Sequence, residues 1–109
     1  VFTPSAELNT KNENIFPSQF ILEQNYPNPF NPATLINYHI PKDNFVQLII
    51  YDVLGREINR LADHNLLAGS YNAIWNGKNA SGKEVGAGVY FYKLKTKDFI
   101  KTKKMVLLK

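Results

Sequence analysis

His39 and His64 are the two histidines of this 109-residue chain, and histidine is the side chain best suited to acid–base chemistry near neutral pH. His39 occupies an outward-facing position of a predicted strand, and His64 follows Asp63 in a predicted loop. Adjacency in sequence does not make Asp63 and His64 a catalytic dyad. The chain has no cysteine, and it has no Gly-x-Ser-x-Gly, phosphate-loop or dinucleotide-binding motif. The sequence therefore predicts that the protein is not an enzyme.

Side-chain oxygens in one loop are the candidates for a metal site. The loop that follows the single tryptophan carries four residues that could offer oxygen to calcium: Asn76, Asn79, Ser81 and Glu84. They do not follow the EF-hand order and lack the aspartates of a strong calcium site. The Asn-Gly and Ser-Gly steps of this loop indicate chain reversal instead, and the absence of cysteine excludes a thiolate zinc site. We predict no metal and no cofactor.

Aromatic side chains could form a platform that stacks against sugars. The candidates are Tyr26, Phe30, Tyr51, Tyr71, Trp75, Tyr90, Phe91 and Tyr92. Most of them occupy inward-facing positions of predicted strands or lie beside a proline, where packing in a core is the simpler interpretation. A carbohydrate-binding accessory module of a secreted enzyme stays open as the alternative function, with a purely structural spacer behind it.

The positive charge of the chain is concentrated near its last residue. The formal net charge is +4, yet residues 93–109 contain seven lysines and one aspartate, whereas the preceding part is slightly acidic. This basic stretch lacks the interleaved aromatic residues of a nucleic-acid-binding motif, so we expect no nucleic-acid partner. Lysines protect exposed sheet edges and also face anionic partners, and both interpretations stay open.

The elements that position these residues are short strands. Runs of β-forming residues separated by Gly, Pro and Asn clusters predict seven strands over residues 20–24, 34–40, 45–52, 57–63, 70–75, 88–96 and 99–108. Seven alternating strands with one inward tryptophan predict an all-β, immunoglobulin-like antiparallel sandwich of two sheets. No apolar run approaches the roughly 20 residues of a membrane-spanning helix.

The register of the last hairpin follows from side-chain parity. A two-residue turn at Lys97 and Asp98 would place Leu94 opposite Lys101. A three-residue loop instead pairs Leu94 with Ile100 and Lys93 with Lys101, which keeps two apolar residues on the inner face. The sequence therefore predicts the three-residue loop.

The first nineteen residues differ from the rest. Residues 1–19 are rich in Asn, Ser, Thr and Pro without an apolar period, which is typical of a linker. The chain opens with Val1, and no charged leader with an apolar segment follows. We therefore expect a fragment of a longer protein, with a linker over 1–19 and a folded domain over 20–109.

Four stretches together resemble one protein family. They are LEQNYPNPFNPAT at 22–34, YDVLGRE at 51–57, WNG at 75–77 with Gly82 and GVYFY at 88–92, and KKMVLLK at 103–109. In this order and spacing they are similar to the type A C-terminal sorting domain of the bacterial type IX secretion system, whose fold is similar to the immunoglobulin-like module of flagellar hook-capping proteins. Residues 97 and 98 depart from the pattern, because small residues are commoner there.

The motif residues have structural interpretations of their own. Prolines at 27, 29 and 32 stiffen a corner over residues 25–32, which Tyr26 and Phe30 are expected to anchor to the sandwich edge. Asp52 and Gly55 are expected to form a tight turn, Trp75 to fill the core and Gly77 to reverse the chain. Pro27 and Pro29 of this corner are also motif residues, as are Gly88 and Tyr90 at the start of a predicted strand.

The resemblance implies a secretion function. It implies a domain fused behind an upstream cargo, recognised at an outer-membrane translocon and removed by a sortase-like cysteine protease, so that the cargo reaches the cell surface or the medium by way of the periplasm. Cleavage is then expected within residues 1–19. The family's signal lies in the last strands, and the matching residues here are Lys103, Lys104, Met105, Val106, Leu107, Leu108 and Lys109.

Overall fold

The computed structural model describes residues 17–109. These residues form seven strands and no helix: β1 Ile21–Leu22, β2 Thr34–Ile40, β3 Asn44–Tyr51, β4 Glu57–Leu66, β5 Gly69–Trp75, β6 Gly88–Lys95 and β7 Ile100–Leu107. Most of the predicted linker, and with it most of the segment expected to contain the cleavage site, lies outside the described residues. In the described part of the chain, no helix has the length and hydrophobicity needed to cross a membrane.

The strands build two antiparallel sheets that pack face to face. One sheet has the order β1-β2-β5 and the other β4-β3-β6-β7. Alternation explains the packing, because every second residue of a strand faces the same side. In β3 the buried residues Val46, Leu48 and Ile50 follow this period, as do Ile36 and Ile40 in β2. The predicted all-β sandwich of two sheets is therefore confirmed.

Strand β4 is longer than predicted. The sequence places His64 in a loop, whereas β4 continues to Leu66 and pairs His64 with Val46 of β3. The pairing of β3 with β4 also shifts register twice. Ile58 and Leu61 fall at these shifts and pack partly buried against the core, which is how a bulged strand keeps extra apolar residues inside. Asp63, His64 and Asn65 are all polar and exposed, so the alternation that marks a half-buried strand is absent there and the predicted strand ends too early.

The predicted register of the last hairpin is wrong. Lys95 pairs with Ile100, Leu94 with Lys101 and Lys93 with Thr102, so the turn has two residues rather than three. The amide of Thr96 donates to the carbonyl of Phe99 across that turn, at 2.8 Å.

This register is decided by the end of β7 that lies far from the turn. The two-residue turn places Met105 opposite Tyr90 and Leu107 opposite Gly88, and both Met105 and Leu107 are fully buried. The three-residue loop would have turned both of them to solvent. Burying a large apolar side chain is worth about 1.5–3 kcal/mol, so two burials outweigh leaving Ile100 60% exposed.

Candidate functional site

The four sequence motifs meet at one end of the sandwich. The ladder pairs Thr34 with Trp75 in one sheet. In the other sheet it pairs Tyr51 with Phe91 and Gly88 with Leu107. A bridge joins Phe30 of the corner to Leu107 of β7. We call this region, formed by Phe30, Trp75, Gly77, Tyr90 and Leu107, the motif end. Residues separated by up to 77 positions in sequence thus share one small volume.

Aromatic packing holds the motif end together. The buried Trp75 ring lies 5.8 Å from the ring of Phe30 and 5.2 Å, edge to face, from the ring of Tyr90. The Trp75 indole N–H donates to the carbonyl of Lys78 at 2.8 Å. Gly77 has a φ of +75°, and a Cβ there would lie 3.4 Å from both Leu107 and the carbonyl oxygen of Pro32. A side chain at Gly77 would therefore strain the backbone and crowd the terminal strand.

The proline-rich corner is held by a network of hydrogen bonds around Asn25. The Asn25 side-chain amide donates to the Thr34 hydroxyl at 2.9 Å and to the Pro27 carbonyl at 3.2 Å. The Thr34 hydroxyl donates to the same carbonyl at 2.8 Å. Asn25 and Thr34 are both buried, and a buried polar group is stable only when it is paired. These bonds define the path of the corner.

The hydroxyl of Tyr92 attaches the corner to the core of β6. It donates to the carbonyl of Glu23 at 2.7 Å and accepts the amide N–H of Asn25 at 2.8 Å. Burial raises the pKa of Tyr92 to about 12, because its effect is larger than the opposing effect of the hydrogen bond from the Asn25 N–H, which lowers the pKa. Sequence reasoning placed Tyr92 in the core but did not find this role, because its partners lie almost seventy residues away.

The same corner covers the edge of β7. The amide of Phe30 donates to the Val106 carbonyl at 3.0 Å, and the amide of Leu108 donates to the Phe30 carbonyl at 2.8 Å. The amide of Val106 donates to the side chain of Asn28 at 3.0 Å, and the Gln24 side chain donates to the Lys104 carbonyl at 2.9 Å. The second half of β7 is thus bonded on both sides.

Tyr26 does not anchor the corner through its side chain. Its ring is 78% exposed, whereas its backbone exchanges hydrogen bonds with Leu35 at 2.9 Å in both directions. The expectation that an aromatic ring anchors the corner to the sandwich holds for the buried Phe30 and is wrong for Tyr26. Only the path of the backbone decides which of the two aromatic rings faces the core.

The terminal residues 103–109 are a mixture of core and surface. Met105 and Leu107 are buried, Lys103 and Val106 are half-buried, and Lys104, Leu108 and Lys109 are exposed. The Lys109 ammonium lies 3.1 Å from the carboxylate of Glu84. In the folded domain, Met105 and Leu107 are therefore not available to a partner.

Asp52 organises the turn that precedes β4. Its carboxylate accepts the backbone N–H groups of Leu54 and Arg56 at 2.9 Å each, and the Arg56 guanidinium lies 2.7 Å away. The hydrogen bond from the Arg56 backbone lowers the pKa of the Asp52 carboxyl, against the raising effect of burial. Gly55 supplies the positive φ of +83° that closes the turn.

Two of the four candidate calcium ligands, Asn79 and Glu84, are engaged in other contacts. The Asn79 side-chain oxygen accepts the amides of Ser81 and Lys83 at 2.9 and 3.0 Å, and Glu84 pairs with Lys109. Among residues 17–109, no three histidine, aspartate or glutamate side chains form a group that could hold a metal ion.

One constellation was not predicted from the sequence. His39 lies between Ser70, whose hydroxyl is 2.8 Å from Nδ1, and the carboxylate of Glu23, which contacts Nε2. The order serine, histidine and carboxylate is that of a hydrolase triad, but catalysis also requires preorganised donors for the developing oxyanion. These contacts include no such donors. The half-buried His39 of β2 instead connects Ser70 of β5 to Glu23, the residue that follows β1. No sequence signal could have found them, because each comes from a different segment.

Half of the rings that could form a sugar-binding platform lie in the core. Phe30, Trp75, Tyr90 and Tyr92 are buried, and Tyr51 is covered by the Lys93 ammonium at 4.9 Å from its ring centre. Stacking on sugar requires exposed aromatic faces. The alternative of a carbohydrate-binding module thereby loses four of its eight candidate rings, whereas Tyr26 is exposed and Tyr71 and Phe91 are half-buried.

Comparison with known proteins points to secretion. A family model described as a secretion system C-terminal sorting domain matches residues 24–108. This match includes all of the corner and all of β7. No curated protein matches the chain.

Solved structures share the fold. One is PorZ, described as an essential bacterial surface component of the type-IX secretion system of Porphyromonas gingivalis, with 20% identity, a TM-score of 0.56 and coverage of 79% of this chain and 11% of PorZ. Dimeric latent PorU from the same organism has 22% identity, a TM-score of 0.61 and coverage of 82% and 9%. FLGD from P. aeruginosa has 28% identity, a TM-score of 0.52 and coverage of 68% and 57%. This chain therefore spans about a tenth of the length of PorZ and PorU.

Proposed function

The chain belongs to the family of secretion system C-terminal sorting domains, and from this premise we propose how its folded surface serves as an address. Members of this family are non-catalytic sorting signals of the type IX secretion system, which act with the secretion machinery to export a protein to the cell surface or the medium. We propose that this protein has no enzymatic activity of its own and that its cargo lies upstream.

The observation that carries the proposal is the position of the terminal strand. Residues 103–109 are bonded to β6 on one side and to the corner on the other, so the signal is part of a folded domain rather than a free tail. We place the recognised surface on its outward side chains, Lys104, Val106, Leu108 and Lys109. Met105 and Leu107 act indirectly, by fixing the strand in the core.

The route and the partners are also proposals. We propose passage through the periplasm, recognition by an outer-membrane translocon and cleavage within residues 1–19 by a sortase-like cysteine protease. The family match begins at residue 24, so cleavage upstream of it would release the cargo from an intact sorting domain.

Deleting residues 103–109 would be a poor test of this proposal. The deletion removes the buried Met105 and Leu107, and losing one large core side chain costs about 2–5 kcal/mol. Loss of secretion would then report an unfolded domain. A surface substitution separates recognition from folding.

The sharper test uses two pairs of substitutions that add negative charge to the full chain, which is fused behind a periplasmic reporter in a bacterium with type IX secretion. Lys104→Glu with Leu108→Glu changes the terminal surface, and Lys83→Glu with Leu67→Glu makes the same change at exposed residues elsewhere. We expect equal melting temperatures, with the reporter retained in the periplasm only for the terminal pair. Equal surface delivery by both variants would contradict a terminal recognition surface.

A further inference from the structure

Strand β7 has one covered half and one open half. Its even-numbered residues direct their backbone groups away from β6, as the bonds of Val106 to Asn28 and Phe30 show. Because alternate residues of a strand face the same neighbour, Thr102 and Lys104 also point outward. The Thr102 N–H, the Thr102 C=O and the Lys104 N–H have no partner among residues 17–109. Such a row of donors and acceptors is a template for another strand.

Lysines surround this open half on both faces of the sheet. Lys101 and Lys103 lie on the inner face, opposite Leu94 and Tyr92, and Lys104 lies on the outer face. None of the ion pairs within the described part of the chain includes these three lysines. An added strand would therefore meet positive charge whichever way its side chains alternate.

The opposite edge of the same sheet has a different character. On β4, Arg60 pairs with Glu57 at 2.7 Å and with Asp63 at 2.9 Å, so its charges are already matched. The contrast assigns the uncompensated positive charge to the β7 edge.

A shallow groove runs beside the open half. It has a volume of about 240 Å³ and is lined by Phe20, Leu22, Phe99, Lys101 and Lys103 among others. The rings of Phe20 and Phe99 stack at 5.0 Å and give the groove an apolar wall. It can receive the aliphatic part of a side chain whose carboxylate reaches the lysines.

We propose that the open half of β7 binds an extended acidic segment of a partner protein, which joins the four-stranded sheet as an additional strand. Backbone pairing supplies the binding, and the lysines select the partner by charge. The proposal rests on the function proposed above, because it names the kind of partner that the terminal region recognises. We expect the lysines to discriminate between strands by charge: an acidic segment finds matching charge at this edge, whereas neutral and basic segments do not.

The proposal can be tested by titrating the isotope-labelled full chain with a short peptide of alternating Glu and Val. We expect chemical-shift changes at the amides of Thr102 and Lys104, with the amide of Val106 unchanged because it already has a partner. Thr102→Pro removes an N–H that β6 does not use, so we expect the fold to survive and the Kd to rise about tenfold or more. Lys101→Gln with Lys103→Gln should weaken binding at low salt, and Lys83→Glu should leave it unchanged.

Two control peptides identify the mode of binding. A fully N-methylated acidic peptide keeps the charge and loses the backbone donors, so we expect it to bind at least about tenfold more weakly; a Lys and Val peptide should not bind. Equal binding of the N-methylated peptide, or no shift at Thr102, would overturn strand addition. Both readouts use the unaltered chain, so they decide the question even should Thr102→Pro fail to fold. Unweakened binding by the double lysine variant would overturn selection by charge.

Secretion assays separate this inference from the function on which it rests. If Thr102→Pro is secreted normally while Lys104→Glu with Leu108→Glu is not, terminal recognition stands and strand addition by the partner is refuted. If the terminal pair is also secreted normally, the recognition surface itself is wrong.

Discussion

Replacing Tyr92 with phenylalanine removes one oxygen atom from the core and disconnects the corner from β6. The aromatic ring keeps its place, so packing changes little. Two hydrogen bonds disappear, the 2.7 Å bond to the Glu23 carbonyl and the 2.8 Å bond from the Asn25 amide. Asn25 is buried, so its N–H loses its partner in a place that water does not reach easily.

The expected cost follows from these two bonds. Leaving a buried polar group unpaired costs about 1–3 kcal/mol. We expect the free energy of unfolding to fall by about 2 kcal/mol, since the Glu23 end of the contact is partly solvated and adds little. For a domain of this size each kcal/mol lowers the melting temperature by about 4–8 °C, which predicts a fall of about 8–16 °C.

The assay is thermal and urea unfolding, with Tyr71→Phe as the matched control. The Tyr71 hydroxyl also donates one hydrogen bond, to the carbonyl of Leu67 at 2.6 Å, but at an exposed position. We expect this control to lose less than about 1 kcal/mol. Amide exchange should also become faster at Phe30 and Val106, because the corner that covers β7 is held by Tyr92.

Equal stability of Tyr92→Phe and Tyr71→Phe would refute the reasoning. It would mean that the Asn25 amide finds water or another partner once the hydroxyl is gone. Unchanged exchange at Val106 would separately refute the claim that Tyr92 secures the cover of the terminal strand.

Three further predictions concern stability. Burial raises the pKa of Tyr92 to about 12 from 10.0 ordinarily, so the folded state loses stability as the pH rises from about 10 to 12. At about 1.4 kcal/mol per pH unit, Tyr92 should account for a loss of up to about 2–3 kcal/mol, and Tyr38 and Tyr90 add to it because their pKa values are raised too. Urea unfolding should show a smaller loss for Tyr92→Phe, and an identical pH profile would contradict this. Trp75→Ala should cost about 3–5 kcal/mol, and a melting temperature equal to that of wild type would show that the ring is not part of the core. The pKa of Asp52 is lowered, so the stability that its carboxylate contributes is present above the ordinary value of 3.8 and is lost as the pH falls below it. The free energy of unfolding of Asp52→Asn should therefore fall less steeply with pH in that range than that of wild type. An equally steep fall would argue against the role of Asp52 in the turn.

Local sequence patterns determined most of the architecture. Alternation in β2 and β3 was sufficient to identify the buried faces, because a period of two follows from the geometry of one strand alone. The motifs that resemble the sorting-domain family were also readable without coordinates, and the family match confirms that resemblance. Gly77 and Trp75 could be assigned to a turn and to the core because backbone permissiveness and ring size are properties of single residues.

Contacts between distant segments were decided only by the tertiary structure. The hairpin register depended on where Met105 and Leu107 find space, and the exposure of Tyr26 on the path of the corner. The extent of β4 depended on the pairing of its polar last residues with β3. The lysine-rich end shows the same limit, because composition could not tell which half of β7 is open. That distinction arises where Asn28 and Phe30 bond to Val106, and a contact across almost eighty residues is a property of the folded chain.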